Sequence, residues 1–493
     1  MLIMENVLTL QNNFITLWIW KDVSKSNTLS KTIFTKPSSH LCPLAAHNST
    51  RHKTLLVESY HEHQKLRALL AQLNNKASCP LHMLQNKDHF WAVIRFLRLS
   101  SRSSEILQVF NLWKGIENSR INECDYEKII VLLSEEGLME DASSALIEMK
   151  RFGLRPSLQI YNSIIHGYSG NGKFNDALFY LNQIKQVKLT PESYTYDGLI
   201  QGYGKYKMYD EVGMSLKKME MDGCSPDQAT YNLVIQQFAL AGLLTRMESS
   251  YQSMRSKKMI LQSSTLIAML EAYVNYGIVI KMEKAFKRVL NSNAHLKEDL
   301  VRKIAVVYIE NLMFSRLNDL GIYLSSSRLK TDIVWCLRLL SSACSLSVKG
   351  MDYVVKEMEE AKVSWNATFV NIMLLAYLKM KDLARLRILL GEITNCLVKP
   401  DIVTVGILLD ANEIGFYRTG TLETWRKMGI LYRCVEMNTD ALVLTAFGKG
   451  RFLAKCEEAY SSLDRNAREK KWTYSNIMDL VAKNNGKQAD EES

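Results

Sequence analysis

Hydrophobic residues recur along most of this chain at intervals of three and four residues, which is the spacing of one face of an α-helix. Between residues 158 and 192, one such run extends from Ile160 to Tyr168 and a second from Phe174 to Ile184. The Gly-Asn-Gly turn at 170–172 separates the runs, and Pro191 follows the second. Both helices should end there, because glycine adopts conformations that other residues resist and proline lacks the N–H that a continuing helix needs. The pattern predicts a helical hairpin.

The hairpin pattern returns with a period of 35 residues. Tyr161-Asn162, Tyr196-Asp197 and Tyr231-Asn232 keep this period, as do Pro156, Pro191 and Pro226. Extended in both directions, the frame predicts about eleven units and a partial twelfth at Trp472. They begin near Asp88, Glu123, Leu158, Ser193, Gln228, Ser263, Glu298, Ile333, Ala367, Ile402 and Met437. Since one hairpin cannot bury both of its faces but stacked neighbours can, we predict an all-α fold, a solenoid of helix-turn-helix repeats.

The first 57 residues differ from the rest and predict a transit peptide. Lysines stand there among many Ser and Thr, and the only acids before Glu58 are Glu5 and Asp22. Richness in hydroxyl residues favours a chloroplast over a mitochondrion, because mitochondrial presequences place arginines on an amphipathic helix. A basic leader of a cytosolic protein is the alternative. We predict that residues 58–87 form an N-terminal capping segment, 88–471 the repeat array, and 472–493 a partial repeat and polar tail.

Composition and charge argue against several classes of protein but do not identify the function. The chain is 47% hydrophobic with seven prolines, and no run approaches the roughly 18–20 apolar residues that span a bilayer, so we expect no membrane insertion. A formal net charge of +11 favours a polyanionic partner. The nine cysteines include no C-x-x-C pair, and no phosphate-binding or catalytic motif is found. We predict no enzyme, no metal site, no cofactor and no small-molecule substrate.

Three short sequences resemble the pentatricopeptide repeat of plant organelle RNA-binding proteins: Tyr-Asn-Ser-Ile-Ile-His-Gly-Tyr (161–168), Gly-Lys-Phe-Asn-Asp-Ala-Leu (172–178) and Lys-Pro-Asp (399–401). The tetratricopeptide repeat has a period of 34 and a Trp, Leu-Gly and Tyr pattern that is not seen. The resemblance covers residues 88–471, and the uniform units resemble the P-type subclass. It implies that the all-α solenoid is a right-handed superhelix and that single-stranded RNA binds in its groove. It also implies that the protein supports RNA stability, processing or translation without catalysis, alongside organellar protein factors.

The resemblance also implies individual RNA contacts, because in this family each repeat meets one base through the fifth and the last residue of the unit. Asn371 with Asp401 matches the uridine-preferring combination. The other candidate pairs are Asn162 with Glu192, Asn232 with Gln262, and Asp197 with Asp227. The fifth residues of the remaining units, Ala92, Glu127, Ile267, Arg302, Leu337 and Gly406, lie outside the family's code. The family tends to place Val second in the unit to sandwich the base, as at Val334 and Val403.

Three lysines, Lys205, Lys379 and Lys449, stand at the thirteenth place of their units, which the family often fills with a basic residue near the RNA backbone. The alternative for each lysine is the solvated end of a first helix. For the asparagines it is a polar residue that satisfies free backbone donors near a helix N-terminus. The rival function for the whole chain is a protein–protein scaffold whose groove holds a partner helix or strand.

Overall fold

The computed structural model describes residues 87–116, 122–292, 294–326, 332–393, 398–412, 414–416, 419–463 and 471–491. The predicted transit peptide and residues 58–86 of the predicted capping segment lie outside the described residues. The chain divides into two compact units, residues 1–96 and 97–493. Of the first unit only residues 87–96 are described, and they form most of helix α1 (Lys87–Leu99).

The second unit is built from helical hairpins. After a 3-10 turn at Ser103–Glu105 comes α2 (Ile106–Ile116). The first helices of the following hairpins are α3 (Glu123–Glu135), α5 (Leu158–Gly170), α7 (Ser193–Lys205), α9 (Gln228–Leu240), α11 (Ser263–Asn275), α13 (Glu298–Glu310), α15 (Asp332–Cys344), α17 (Ala367–Met380) and α19 (Ile402–Asn412). Their second helices are α4 (Met139–Arg151), α6 (Phe174–Gln186), α8 (Tyr209–Met221), α10 (Leu244–Ser256), α12 (Val279–Asn291), α14 (Phe314–Ser326), α16 (Val348–Glu360), α18 (Leu383–Glu392) and α20 (Thr419–Lys427).

The C-terminal part is less regular. A 3-10 turn at Ile430–Tyr432 precedes α21 (Ala441–Phe447), α22 (Gly450–Ser461) and α23 (Tyr474–Glu491). Within the described ranges the structure has 23 α-helices and no strand, apart from one isolated bridge between Cys434 and Thr473. The predicted all-α solenoid of helix-turn-helix repeats is therefore confirmed.

First helices begin at the predicted residue in eight units between Glu123 and Ile402, and three starts differ. Helix α1 begins at Lys87, one residue before the predicted Asp88. Helix α15 begins at Asp332, one residue before the predicted Ile333, so its fifth residue is Cys336 rather than Leu337. The prediction that a unit begins at Met437 is wrong, because residues 433–440 are not helical and α21 starts at Ala441. Residues 438–440 are instead held by side chains of earlier units, as described below.

The last residue of a unit caps the first helix of the next. Ser157, Asp227 and Asn366 each accept a hydrogen bond from the backbone N–H three residues later, which satisfies one of the free donors of the following helix. Turns between paired helices use a left-handed residue, such as Gly172 with φ of 75°. The 35-residue period thus fixes both where a helix starts and where the last residue of the preceding unit lies.

Hairpins stack through buried apolar faces, with small residues at close contacts. Ala142 and Ala177 are fully buried in the second helices α4 and α6. Gly202 lies where α7 approaches α5, and a Cβ atom there would be 2.7 Å from the carbonyl oxygen of Ser169. The first helices of successive units pack against one another from α3 to α13 and again from α15 to α19. Their exposed side, away from the second helices, is called the first-helix face below.

The packing changes around α15. This helix packs chiefly against α14, where Gly321 allows an approach that a Cβ atom would block at Arg338 Cγ. Helix α21 packs against α13, α15 and α17, which are the first helices of three successive units. The chain therefore returns to the first-helix face after leaving the regular hairpins.

Candidate nucleic-acid interface

Each unit is named by the number of its first residue. In units 158, 193 and 228 the fifth residue lies on the first-helix face and accepts a hydrogen bond from the third residue of the next unit. That third residue is a buried threonine. Its hydroxyl donates from Thr195 to Asn162 Oδ1 (2.7 Å), from Thr230 to Asp197 Oδ1 (2.8 Å) and from Thr265 to the backbone oxygen of Asn232 (3.4 Å). These threonines keep the 35-residue period, so the sequence itself carries a signal for this contact.

Asn162, Glu192 and Lys205 line one open cleft of about 910 Å³. They represent the fifth and last places of one unit and the thirteenth place of the next, so the structure brings together three kinds of predicted contact residue. Asn162 is only 4% exposed, and its Oδ1 is occupied by Thr195. No group among the described residues accepts a hydrogen bond from its Nδ2. The donor end of this amide is therefore available to a molecule in the cleft.

The same cleft holds an aromatic pair, His166 and Tyr194, that no periodic signal in the sequence marks. Tyr194, in the second place of its unit, is 59% exposed, and its ring centroid lies 4.4 Å from that of His166. The Nε2 of His166 donates to the carbonyl oxygen of Tyr194 at 2.7 Å. Burial lowers the pKa of His166, so the imidazole is neutral near pH 7. The pair offers an uncharged, exposed ring beside the amide of Asn162.

In the next candidate pair Asp197 is half-buried. Burial raises the pKa of Asp197 to about 6, opposed by the hydrogen bond from Thr230 and supported by the nearby charge of Asp227. Asp227 is exposed and accepts from the N–H of Thr230 at 2.9 Å.

Asn232 uses both ends of its amide internally. Its Nδ2 donates to the backbone oxygens of Gln228 (2.7 Å) and Ile260 (3.2 Å), and its Oδ1 accepts from the N–H of Gln262 (2.7 Å). The side chain of Gln262 itself is exposed.

The three predicted backbone lysines have different surroundings. Lys205 is exposed in the cleft, where its Nζ donates to the carbonyl oxygen of Gly170 at 2.7 Å. Lys379 places its Nζ 5.4 Å from the ring centroid of Phe447, in helix α21. Lys449 lies just before α22 rather than near the end of a first helix, and it pairs with Glu457 at 2.7 Å. Only the first of these lysines lies in the open cleft.

Asn371 and Asp401 are fully buried and lie 3.0 Å apart. Both side chains are hydrogen bonded to Thr439, in the non-helical segment before α21. Thr404 also binds the Oδ1 of Asn371, at 2.9 Å, as Thr195 binds Asn162. That these two residues read a base stays a prediction, and in this structure a protein segment lies against them.

Comparison with known proteins identifies the family. Models of this repeat match residues 128–154 (PPR repeat), 156–205 (PPR repeat family) and 194–240 (pentatricopeptide repeat domain). A chloroplastic pentatricopeptide repeat-containing protein of Arabidopsis thaliana is 57% identical over 472 residues, which cover 93% of this chain and 94% of that protein. This chain belongs to the pentatricopeptide repeat proteins. The predicted plant family and the predicted chloroplast localisation are confirmed.

Other members of the family are less similar to this pentatricopeptide repeat protein. A second Arabidopsis thaliana member is 40% identical over 50 residues, 10% of this chain and 9% of its own. The crystal structure of PPR10 from maize matches with 16% identity and a TM-score of 0.35, covering 84% of this chain and 61% of that one. PPR10 in complex with an 18-nucleotide psaJ RNA element matches with 17% identity and a TM-score of 0.39, covering 82% and 64%.

Two further features are absent from the described ranges. None of the helices there is long and apolar enough to cross a membrane. No group of three or more His, Cys, Asp and Glu side chains there could hold a metal ion.

Proposed function

We propose that this protein is a P-type pentatricopeptide repeat protein that binds single-stranded RNA in the chloroplast along its first-helix face. It acts by occupancy, supporting the stability, processing or translation of a transcript, and carries out no chemistry of its own. Membership of the family supports RNA binding, and PPR10, another member, was solved with an 18-nucleotide RNA element. The observation that carries the proposal for this chain is the cleft shared by Asn162, Glu192, Tyr194 and Lys205.

The cleft offers each kind of group that a nucleotide needs. The exposed ring of Tyr194 can stack on a base, which is a sequence-tolerant contact because every base has a π-face. The Nδ2 of Asn162 can donate to an acceptor on the base edge, and the carboxylate of Glu192 can accept from a base N–H. The ammonium group of Lys205 can neutralise a phosphate. One nucleotide can therefore meet all four residues.

In our proposal the RNA strand continues from the cleft to the next two candidate pairs, Asp197 with Asp227 and Asn232 with Gln262. The exposed carboxylate of Asp227 and the exposed amide of Gln262 are the accessible members of these pairs. Asn232 acts mainly by fixing the backbone around it, since both ends of its amide are hydrogen bonded to backbone groups. Base reading in unit 228 then depends on Gln262 more than on Asn232, whereas in unit 193 the half-buried Asp197 uses only its Oδ1, toward Thr230.

A protein scaffold is the second candidate function, and one observation favours it. The first-helix face of units 298 to 367 carries a polypeptide, residues 438–447 of this same chain, so that part of the surface can hold protein. In the scaffold case an organellar protein segment would bind the open cleft as well. RNA is the occupant that the cleft of unit 158 favours, because an exposed aromatic ring stands there beside an amide and a lysine.

The test is the binding of single-stranded RNA by wild type, Tyr194→Ala and Tyr353→Ala. Tyr194 and Tyr353 are similarly exposed, at 59% and 62%, but Tyr353 lies on the second helix α16. We expect Tyr194→Ala to weaken binding by about 1–3 kcal/mol, the value of one base stacked on an aromatic ring, and Tyr353→Ala to leave it unchanged. Fluorescence anisotropy with a randomised oligonucleotide measures both.

Two results would count against this function. Equal losses in the two variants would mean that the cleft is not where RNA stacks. Wild-type binding no tighter than about 10 µM at moderate salt lies within the range of non-specific binders, and it would favour the scaffold function instead.

A further inference from the structure

Residues 438 and 439 form a dense hydrogen-bond network with the buried carboxylate of Asp401. Its Oδ2 accepts from the N–H of Thr439 (2.8 Å), the N–H of Asn438 (3.0 Å) and the Oγ1 of Thr439 (2.6 Å). The Nδ2 of Asn371 donates to the same Thr439 hydroxyl at 2.6 Å. Because a buried carboxylate without hydrogen bonds is costly, these contacts hold the segment against the first-helix face.

The same segment meets the fifth residues of the two preceding units. Arg302, the fifth residue of α13, forms an ion pair with Asp440. Cys336, the fifth residue of α15, is 1% exposed, and its pKa is raised first by burial and then by the charge of Asp440. The N–H of Asp440 donates to the hydroxyl of Thr368, the second residue of α17, at 2.9 Å. Residues 439–440 thus lie along the fifth-place row of three successive units.

Helix α21 continues this contact with apolar side chains. Leu442 and Val443 are buried, and the helix packs against α13, α15 and α17. The ring of Phe447 faces the Nζ of Lys379 at 5.4 Å. In unit 367 the base-reading candidates and the backbone-lysine candidate are therefore all engaged by residues 438–447.

Units 158 and 367 offer a matched comparison, since each has an asparagine in the fifth place. Thr195 binds Oδ1 of Asn162 at 2.7 Å, and Thr404 binds Oδ1 of Asn371 at 2.9 Å. Only the donor end differs. The Nδ2 of Asn162 faces the open cleft, whereas that of Asn371 is bonded to Thr439 and Asp401.

We propose that residues 438–447 are a built-in occupant of the first-helix face over units 298 to 367. Asn371 and Asp401 anchor this segment, and RNA is read only by units that precede it. The RNA part of the inference rests on the proposed function, whereas the docking of the segment does not. An RNA strand that displaced the segment would leave the buried Asp401 without three of its donors and bring a phosphate chain close to two carboxylates, Asp401 and Asp440.

The first experiment compares Asn162→Ser with Asn371→Ser in the full chain, using selection from randomised single-stranded RNA. We expect Asn162→Ser to change the preferred base at one position. Asn371→Ser should leave both the preference and the affinity within about twofold of wild type, because no base reaches it. A changed base preference in Asn371→Ser would overturn the proposal.

The second experiment needs no RNA and tests the docking directly, through the alkylation rate of Cys336 resolved by peptide mass spectrometry. Asp440→Arg sets a like charge against Arg302, and we expect it to accelerate the labelling of Cys336 at least tenfold. The control is Asp210→Arg, which breaks an ion pair with Arg246 at 2.7 Å, remote in sequence from the segment. This control should leave the labelling of Cys336 unchanged. Equal protection of Cys336 in wild type and Asp440→Arg would overturn the docking.

Failure of the proposed RNA binding and failure of the proposed docking give different results. If wild type binds no RNA while Asp440→Arg exposes Cys336, the proposed function fails and the docked segment stands. If wild type binds RNA, the combination of Asp440→Arg with Asn371→Ser is decisive. We expect Asn371→Ser to alter one base preference in that background alone, because the released face becomes accessible. No effect there would overturn the assignment of the segment as the occupant that excludes RNA.

Discussion

At the scale of single residues, the hydrogen bonds of a side chain decide what it can read. Asn162, Asn232 and Asn371 stand at the same place of their units, yet only Asn162 keeps a free donor end toward an open cleft. Asn232 bonds within its own unit and Asn371 bonds to a segment from the end of the chain. A repeat-by-repeat code read from residue identity alone would treat the three as equivalent.

Asp197 yields a prediction that depends on pH. Its pKa is raised to about 6, chiefly by burial, so between about pH 4 and 6 the native state keeps a proton that the unfolded state loses. Stability therefore falls as pH rises through that window and stays lower above it. We expect Asp197→Asn to raise the free energy of unfolding by about 1–2 kcal/mol at pH 8, after discounting for partial exposure, and by much less at pH 4.

Urea denaturation of Asp197→Asn and wild type at the two pH values measures this difference. Asp227→Asn should give a smaller gain at pH 8, since Asp227 is exposed and its charge is only a secondary cause of the raised pKa of Asp197. A gain for Asp197→Asn that is the same at pH 4 and pH 8 would show that the carboxylate is not the cause.

At the scale of the elements, the sequence predicts the regular part of the array almost residue by residue. Apolar spacing, Gly turns and a 35-residue period locate the first helices from Glu123 to Ser263 because each of these signals is local. The docking of residues 438–440 could not be predicted in this way. Its partners Thr368, Asn371 and Arg302 lie about 70 to 140 residues earlier, and no periodic pattern links them. The aromatic pair of His166 and Tyr194 also joins two units, and neither residue repeats with the period.

Glycines offer a matched test of how closely the first helices pack. Gly202 in α7 would bring a Cβ atom within 2.7 Å of the Ser169 oxygen in α5, whereas Gly213 in α8 has open space. We expect Gly202→Ala to destabilise the protein by about 1–3 kcal/mol, because the helices must move apart. Gly213→Ala should stabilise it by up to about 1 kcal/mol, since alanine loses less backbone freedom in a helix.

Hydrogen exchange locates the effect of Gly202→Ala. In a repeat array each unit contacts its neighbours, so protection should be lost first around α5 and α7. Uniform loss along the whole array would contradict the modular packing of these hairpins.

At the scale of the whole molecule, 62 basic and 51 acidic residues leave a net positive charge, and of the three predicted backbone lysines Lys205 is the one that lies in the open cleft. We expect Lys205→Ala to weaken binding to every single-stranded RNA and to reduce the slope of log affinity against log salt by about 0.7. Lys449→Ala should change neither quantity, because Glu457 already pairs with that lysine. Titrations at several salt concentrations measure both slopes. An equal loss of slope in the two variants would show that Lys205 does not contact an RNA phosphate.

The ion pair between Arg302 and Asp440 joins residues 138 positions apart, whereas side-chain hydrogen bonds between neighbouring units up to unit 263 join residues about 25 to 38 positions apart. Contact order therefore differs along the molecule, and folding slows as contacts become less local. Units 123 to 263 can acquire their native contacts before residues 438–447 dock. Units 298 to 367 cannot complete theirs until that docking has taken place. The protein should thus pass through a state in which units 123 to 263 are native while units 298 to 367 still lack their contacts with residues 438–447.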